Sequence, residues 1–345
     1  MSFWDLVTVV LLFGGLFVVV WLRFDKSRLG ALLLEKPPLV YAMLAFAILV
    51  LVVALEVSVG HENDDRIPEA YGFLADVVIL GFGISLYQYW RDRVRQVRDL
   101  QSKLTDTRML QDQASVFGKV SALIRLNRLH GEIPPLDGVA LKSASLERID
   151  LTECRLPYAD LDEAQLRYAV LQRAFAHNAF VRRADLSFAD MSSASFYASD
   201  FEESTLSASN MTAANFSAAN LTRARLTSVL AEDARFVRAI LVDAMLDSAD
   251  LTGANLASAN LTRANLENAE LKNTSIDNAL LTSANLAGAT NLKWMKLRHA
   301  KDWHRVVALP TDTENEIKWL IQNGIISDED AIHYDEYRRF RYAPE

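Results

Sequence analysis

The chain has 345 residues, of which 51% are hydrophobic, and its net formal charge at neutral pH is −8. This length favours two or three domains over one. The single cysteine, Cys154, excludes a disulfide within the chain and any cysteine-rich zinc or iron–sulfur site. Charge is uneven, at −4 over residues 1–90, +5 over 91–130, −8 over 131–292 and −1 over 293–345, which predicts four segments with different surroundings.

Residues 1–90 have the pattern of a transmembrane domain. Residues 6–22 and 38–55 carry no charge, and residues 71–90 carry only Asp76 before the next arginine. Each run approaches the ~20 apolar residues that a helix needs to cross a bilayer. We therefore predict three spans, with a buried soluble helix or a re-entrant segment as the alternative.

The distribution of charge between these runs predicts their orientation. The loop at 23–36 carries four basic residues, whereas the loop at 61–70 is mostly acidic. Four further arginines follow the third run: Arg91, Arg93, Arg95 and Arg98. By the positive-inside rule, the N-terminus lies outside and everything after residue 90 is cytoplasmic. We predict an integral protein of a bacterial inner membrane, with these arginines in contact with anionic lipid or with an anionic ligand.

Three acidic residues, Asp5, Glu56 and Asp76, fall near the outer ends of the predicted spans. Ionisable groups in a membrane often face a pore or a bundle interior, so these carboxylates are candidates for the outer mouth of a cation pathway. The alternative is that each one reaches water at the headgroups. Residues 91–130 contain no proline and predict a basic helical connector, interrupted near Gly118.

An uninterrupted five-residue repeat follows. From Leu136 to Leu286, 31 consecutive pentads place Leu, Met, Phe or Ile at 28 central positions, and 22 carry Ala two residues earlier. Period five fits neither an α-helix nor a β-strand, so the chain must turn regularly. One large and one small inward position per pentad predict a narrow four-sided tube whose coils stack through backbone hydrogen bonds.

Within the repeat, Ala184-Asp185-Leu186, Ala249-Asp250-Leu251 and Ala254-Asn255-Leu256 carry the motif Ala-(Asp or Asn)-Leu-x-x. In this the chain resembles the pentapeptide-repeat family, over about 157 residues. The resemblance implies an all-β right-handed quadrilateral β-helix over 131–292. It implies no particular activity, although some soluble members of the family mimic DNA.

The last segment, 293–345, predicts a helical cap, because a stacked coil leaves sheet edges that must be covered. Residues 313–323 are typical of a helix, and Ser327 is a candidate N-cap of another. Members of the family often dimerise through such elements. We therefore identify four candidate oligomer-interface residues, which capping alone would explain equally well: Trp294, Trp303, Trp319 and Phe340.

Catalytic chemistry is not indicated. The sequence has no phosphate-binding loop, and His299, His304 and His333 show no recognised metal-ligand spacing. We therefore predict no catalytic residues, no cofactor and no metal. The preferred function is a membrane-anchored, homo-oligomeric interaction or sensor module whose cytoplasmic β-helix binds a protein or signalling ligand. The alternative is a self-assembling ion channel or membrane-disrupting effector gated by the rod, in stress or phage defence. A DNA-mimic topoisomerase inhibitor ranks third, and direct DNA binding is not expected.

Overall fold

The computed structural model describes residues 67–129, 131–323, 325 and 327–341, with side chains from residue 80 onward except 82, 328 and 340. The chain divides into two units, 1–98 and 99–345. The first two predicted spans, with Asp5 and Glu56, lie outside the described residues, as does the side chain of Asp76. The outer-mouth hypothesis therefore stays a prediction.

Helix α1, Ile67–Asp106, contains the third predicted span. Among the helices described, none is long and apolar enough to cross a membrane. Residues 71–90 are helical within α1, and their crossing of a membrane stays a prediction. Side chains of the run are described from Leu80, and the helix reaches the charged residues Arg91 and Asp92 directly after the run ends.

The helical connector is interrupted at a different place from the one predicted. Six residues, 107–112, separate α1 from helix α2, Gln113–Arg128, and Gly118 lies inside α2. The break is fixed by Asp112, whose carboxylate accepts a hydrogen bond of 2.9 Å from the backbone N–H of Ser115. Asp112 is therefore the N-cap of α2, because its side chain accepts a backbone N–H of the first turn that has no acceptor within the helix. The buried face of α2 includes Leu123 and Leu126.

The pentads form a four-sided coil. Parallel bridges join each residue midway along a face to the residue 20 positions later, from Ala140↔Asp160 to Glu270↔Thr290. Four pentads therefore make one turn of the coil. In the part of the chain that the structure describes, every face contributes a single bridging residue, so the ladders contain isolated bridges rather than extended strands. The central and small positions point inward; Leu151 and Ala159, for example, are fully buried.

The Asp or Asn of the motif stabilises the corner of its pentad. Its side-chain oxygen accepts the backbone N–H two residues later, at 2.9 Å for Asp150 to Thr152 and 3.1 Å for Asn260 to Thr262. This local bond stabilises the corner, where the next residue has a left-handed backbone conformation, such as φ 58° at Glu153. One oxygen of these motif carboxylates is therefore engaged in stabilising the corner, as in Asp150, Asp185 and Asp190.

Both ends of the coil are covered. At the first end, the N–H of Ala140 donates to the carbonyl of Arg108 (2.9 Å), and that of Asp150 donates to Oδ1 of Asn127 (2.8 Å). At the other end the ladder extends past the last pentad, because Leu280 bridges Lys301 and Asn285 bridges Ala308. The cap then continues through helices α3 to α5 and one 3₁₀ turn: α3, Trp294–Leu297; the 3₁₀ turn, Trp303–Arg305; α4, Thr311–Gln322; and α5, Asp328–Arg341.

Two serines in the small inward position should respond oppositely to replacement by alanine. Ser199 is buried, accepts the N–H of Ala179 (3.1 Å) and donates to the carbonyl of Ala176 (2.7 Å). The buried hydroxyl of Ser209 has no hydrogen-bond partner among the described residues. We expect Ser209→Ala to raise the free energy of unfolding by about 1 kcal/mol and Ser199→Ala to lower it by a similar amount. Chemical denaturation measures both, and a loss of stability in the Ser209 variant would contradict the expectation.

Candidate interaction surface

Exposed aromatic side chains are concentrated on one part of the β-helix. Phe175, His177 and Tyr197 form a continuous group, with ring centroids 3.8 Å apart for the first pair and 5.7 Å for the second. The guanidinium of Arg155 lies 5.6 Å from the centroid of the Phe175 ring. We call these four residues the aromatic–arginine patch. Phe175 is 38% exposed and Tyr197 is 45% exposed, so the patch presents its rings to the surroundings.

The coil geometry builds the patch from residues distant in sequence. Arg155 and Phe175 form one bridge of the ladder, and Phe175 forms the next with Ser195. Nε2 of His177 lies 2.7 Å from Oγ of Ser195, which fixes the ring between the two coils. Partial burial lowers the pKa of His177, so the positive charge of the patch at neutral pH comes from Arg155.

The neighbouring face carries an ion pair that compensates for a departure from the motif. Position 180 is Phe instead of Asp or Asn, so the N–H of Arg182 lacks its usual side-chain acceptor. Asp162, one coil earlier, accepts this N–H at 2.9 Å and also binds the Arg182 guanidinium, at 3.1 and 3.2 Å from Nε. The Asp162 hydrogen bond and charge raise the pKa of Arg182. The guanidinium in turn lies 5.8 Å from the centroid of the exposed Phe180 ring.

A third exposed pair, Tyr168 and Phe188, stacks with centroids 5.1 Å apart. Arg148 lies 5.5 Å from the Tyr168 centroid. Exposed rings therefore occur in the coils between residues 155 and 200 on more than one face, and three of them, Tyr168, Phe175 and Phe180, lie beside an arginine. Aromatic residues and arginine are the side chains enriched in protein–protein interfaces.

The four predicted oligomer-interface residues have different environments. Trp294 and Trp303 are buried at 2% and 3% exposure and pack edge to face, with centroids 5.0 Å apart. Their burial in the cap agrees with the capping alternative. Trp319 is 56% exposed, whereas the side chain of Phe340 is outside the described set. The interface hypothesis therefore rests on Trp319 among the residues whose side chains are described.

The four predicted basic contacts lie along α1. Nε of Arg91 is 3.8 Å from Oδ1 of Asp92, and Nη1 of Arg93 donates to the Tyr89 hydroxyl at 3.4 Å. Arg95 and Arg98 are exposed. This arrangement leaves positive charge on the helix surface, which is compatible with lipid or with an anionic ligand.

Cys154 occupies one of the small inward positions and is 7% exposed. Burial, with a smaller contribution from the charge of Asp150, raises the pKa of this thiol to about 12. The thiolate is the nucleophile, so Cys154 should react with iodoacetamide at least about tenfold more slowly in the native protein at pH 8 than after denaturation. Intact-mass spectrometry over time measures this, and equal rates would contradict the burial of Cys154.

Sequence reasoning missed one group of side chains in the cap. His304 and His333, for which no metal spacing was recognised, lie together with Glu336, and one ligand atom from each falls within 4.8 Å of the others. His299 is exposed outside this group. The signal in the sequence was the His-x-x-Glu spacing of residues 333 and 336, which places both on one side of a helix. Nothing in the sequence indicated that His304 would join them.

Comparisons with known proteins agree with the repeat. The sequence profile of pentapeptide repeats matches in 8 copies, over residues 136–173, 144–182, 164–202, 182–217, 219–257 and 264–301. No curated protein sequence matches the chain.

Solved structures also resemble the repeat segment. HetL, a pentapeptide repeat protein involved in heterocyst differentiation regulation in the cyanobacterium Nostoc sp. strain PCC 7120, is 30% identical, with 44% of this chain and 77% of HetL covered and a TM-score of 0.22. Full-length QnrB1, a plasmid-mediated fluoroquinolone resistance protein, is 17% identical, with 55% of this chain and 92% of QnrB1 covered and a TM-score of 0.28. Rfr23, a pentapeptide repeat protein of the cyanobacterium Cyanothece 51142, is 24% identical, with 33% of this chain and 78% of Rfr23 covered and a TM-score of 0.19.

The matched residues coincide with the coil. Its bridges follow a 20-residue period through the same stretch in which the family profile finds its repeats. With its motif, its inward positions and its profile matches in agreement, the chain belongs to the pentapeptide-repeat family.

Proposed function

We propose that the protein is a membrane-anchored, non-enzymatic interaction or sensor module, whose cytoplasmic β-helix binds a protein partner through the aromatic–arginine patch. The observation that carries this proposal is the continuous exposure of Phe175 and Tyr197 beside Arg155. Large aromatic side chains with few rotatable bonds bury much area at little entropic cost, and with arginine they supply most binding hot spots.

The rigidity of the coil supports the same function. The backbone on each side of the patch is tied to the coils before and after it, for example by the N–H of Phe175 to the carbonyl of Cys154 at 2.9 Å. The side chains are also held by the contact between the Phe175 and His177 rings and by the His177–Ser195 hydrogen bond. A surface held in place in this way loses little conformational entropy on binding, which favours recognition of a preformed partner surface.

The membrane anchor is proposed from the sequence. Its support is the two long uncharged runs, together with the net charge of the loops that follow them, which is positive at 23–36 and negative at 61–70. We expect the full-length protein to stay in the membrane fraction after alkaline carbonate extraction. An alkaline phosphatase fused after residue 65 should be active outside the cell, and one fused after residue 130 should be inactive. Extraction into the soluble fraction would refute the anchor, and the reverse fusion pattern would refute its orientation.

The interaction function is tested by a patch variant and a matched control. Phe175→Ser with Tyr197→Ser removes both exposed rings, whereas Leu230→Ser with Ile240→Ser removes exposed apolar side chains, 53% and 43% exposed, from bridge positions on later coils. Both are compared in quantitative crosslinking with host membranes, and the captured partner is then purified. We expect the patch variant to weaken the partner's affinity by at least about thirtyfold and the control to change it less than about threefold. Equal binding by the wild type and the patch variant would refute this role.

We also propose that the protein is homo-oligomeric, with the exposed Trp319 at the interface. Native mass spectrometry of the intact protein, released from mild detergent, measures the stoichiometry. Trp319→Ser should shift the distribution towards monomer, while Trp294→Phe, a change inside the buried cap, should leave it unaltered. A monomeric wild type would refute the proposal.

A further inference from the structure

The strongest unassigned chemistry in the described residues lies in the C-terminal cap. Oε2 of Glu336 is 3.1 Å from Nδ1 of His333 and 3.6 Å from Nε2 of His304. The two imidazole rings stack with their centroids 4.7 Å apart and an angle of 12° between their planes. Three side chains that can all donate an electron pair to a metal ion therefore converge on one point.

The local structure explains this convergence. His333 and Glu336 are three residues apart on α5, so they lie on the same side of the helix. His304 is in the 3₁₀ turn, which follows Asp302, a residue with left-handed backbone geometry at φ 54°. The turn is anchored by the buried Trp303, whose ring centroid lies 6.2 Å from that of His304 and 6.3 Å from that of His333.

The distances suit a tetrahedral metal ion. With metal–ligand bonds of about 2.0 Å, two ligand atoms at the corners of a tetrahedron are roughly 3.3 Å apart. The two distances from Glu336 lie on either side of this value, and all three ligand atoms lie within 4.8 Å of one another. Side-chain rotations that turn the two stacked rings towards a common point would bring these atoms to bonding distance. Two imidazoles and one carboxylate form a donor set found in zinc sites, with the fourth position open to water. Imidazole ligands favour zinc, copper or nickel over magnesium or calcium.

The surroundings also allow an ion to enter and be retained. The side chain of Glu336 is 49% exposed, whereas that of His304 is 16% exposed, so the group opens to solvent on the carboxylate side. The imidazole of His304 lies against the buried Trp303, so the His304 side of the group is partly shielded from solvent.

We propose that His304, His333 and Glu336 bind one divalent transition-metal ion, such as Zn²⁺, which fastens helix α5 to the 3₁₀ turn at the end of the β-helix. The ion would join two cap segments that are separated by the 22 residues 306–327. Bound there, the ion would hold α5 against the 3₁₀ turn. This proposal is independent of the aromatic–arginine patch.

Zinc binding to the full-length protein tests the site. The protein, solubilised in mild detergent and free of any polyhistidine tag, is stripped with EDTA, dialysed and titrated with ZnCl₂ by calorimetry, while native mass spectrometry gives the stoichiometry. His304→Gln and Glu336→Gln are the test variants. His299→Gln is the matched control, because His299 is an exposed histidine of the same segment outside the cluster. Circular dichroism confirms that each variant keeps its fold.

We expect the wild type and the His299 control to bind about one Zn²⁺ per chain, with Kd at or below about 10 µM. Each test variant should weaken this binding by more than about tenfold, because replacing a residue that only hydrogen-bonds to a metal ligand already lowers metal affinity by about that factor. Saturating zinc should raise the Tm of the wild type by about 5 °C and leave that of His304→Gln unchanged. Absence of stoichiometric binding by the wild type, or equal loss of binding in the His299 control, would overturn the proposal.

Discussion

Replacement of Phe216 by alanine should lower the free energy of unfolding by about 3–5 kcal/mol, which makes it the most damaging single truncation that we expect. Phe216 is fully buried and lies at the centre of a column of rings inside the coil. Its centroid is 5.2 Å from that of Phe196 and 5.7 Å from that of Phe236, both stacked, and 5.3 Å from that of Phe201, which meets it edge to face.

The size of this effect follows from the narrowness of the tube. Neighbouring coils are held at a fixed spacing by their backbone ladder, so the walls cannot collapse into the cavity that the missing ring leaves. Chemical denaturation followed by circular dichroism measures the loss. Phe188→Ala is the control, because this ring is 49% exposed, and its removal should cost less than about 1 kcal/mol. Similar losses in both variants would show that the ring column does not determine stability.

The sequence predicted the repeat fold well because its spacing is governed by local geometry. Each pentad must bury one large and one small side chain and then turn, so every coil repeats the same pattern. Leu251 and Ala254 are buried as their positions predict. The predicted N-cap at Ser327 is also observed, since its hydroxyl accepts the N–H of Asp330 at 3.2 Å. Such short-range hydrogen bonds depend on neighbouring residues alone.

The cap was harder to predict because its contacts join segments with no common period. Residues 299–308 complete the ladder without any pentad motif, through bridges such as Leu280↔Lys301. The same departure from periodicity buries Trp294 and Trp303 and brings His304 to α5. Neither hydrophobicity nor ligand spacing in the sequence shows which helix face will cover the last coil.

The aromatic–arginine patch could be predicted from the sequence in part, less fully than the coil and more fully than the cap. Residues 155, 175 and 195 occupy equivalent positions on successive coils, as do 177 and 197, so the sequence at a period of 20 places Phe175 and Tyr197 on the same side. That period follows once four pentads are assigned to each coil. The tilted contacts of His177 with both rings, however, depend on side-chain rotamers and required the structure.

Loss of the Arg182 side chain should also destabilise the protein strongly. Asp162 is only 4% exposed, and Arg182 pairs with its carboxylate through two guanidinium nitrogens. We expect Arg182→Ala to lower the free energy of unfolding by about 2 kcal/mol at pH 7, because a nearly buried carboxylate would lose its counter-charge. This value is below that of a fully buried pair because the Arg182 side chain is 43% exposed.

A second substitution distinguishes charge from packing. Asp162→Asn keeps an oxygen that can accept the N–H of Arg182 but removes the negative charge that the guanidinium balances. The double variant, Asp162→Asn with Arg182→Ala, should therefore be more stable than Arg182→Ala alone by about 1 kcal/mol. If the double variant is instead the less stable of the two, the cost of losing Arg182 comes from its contact with Phe180 and not from the buried carboxylate. The same denaturation experiment decides between these causes, since only the charge explanation predicts that a second substitution restores stability.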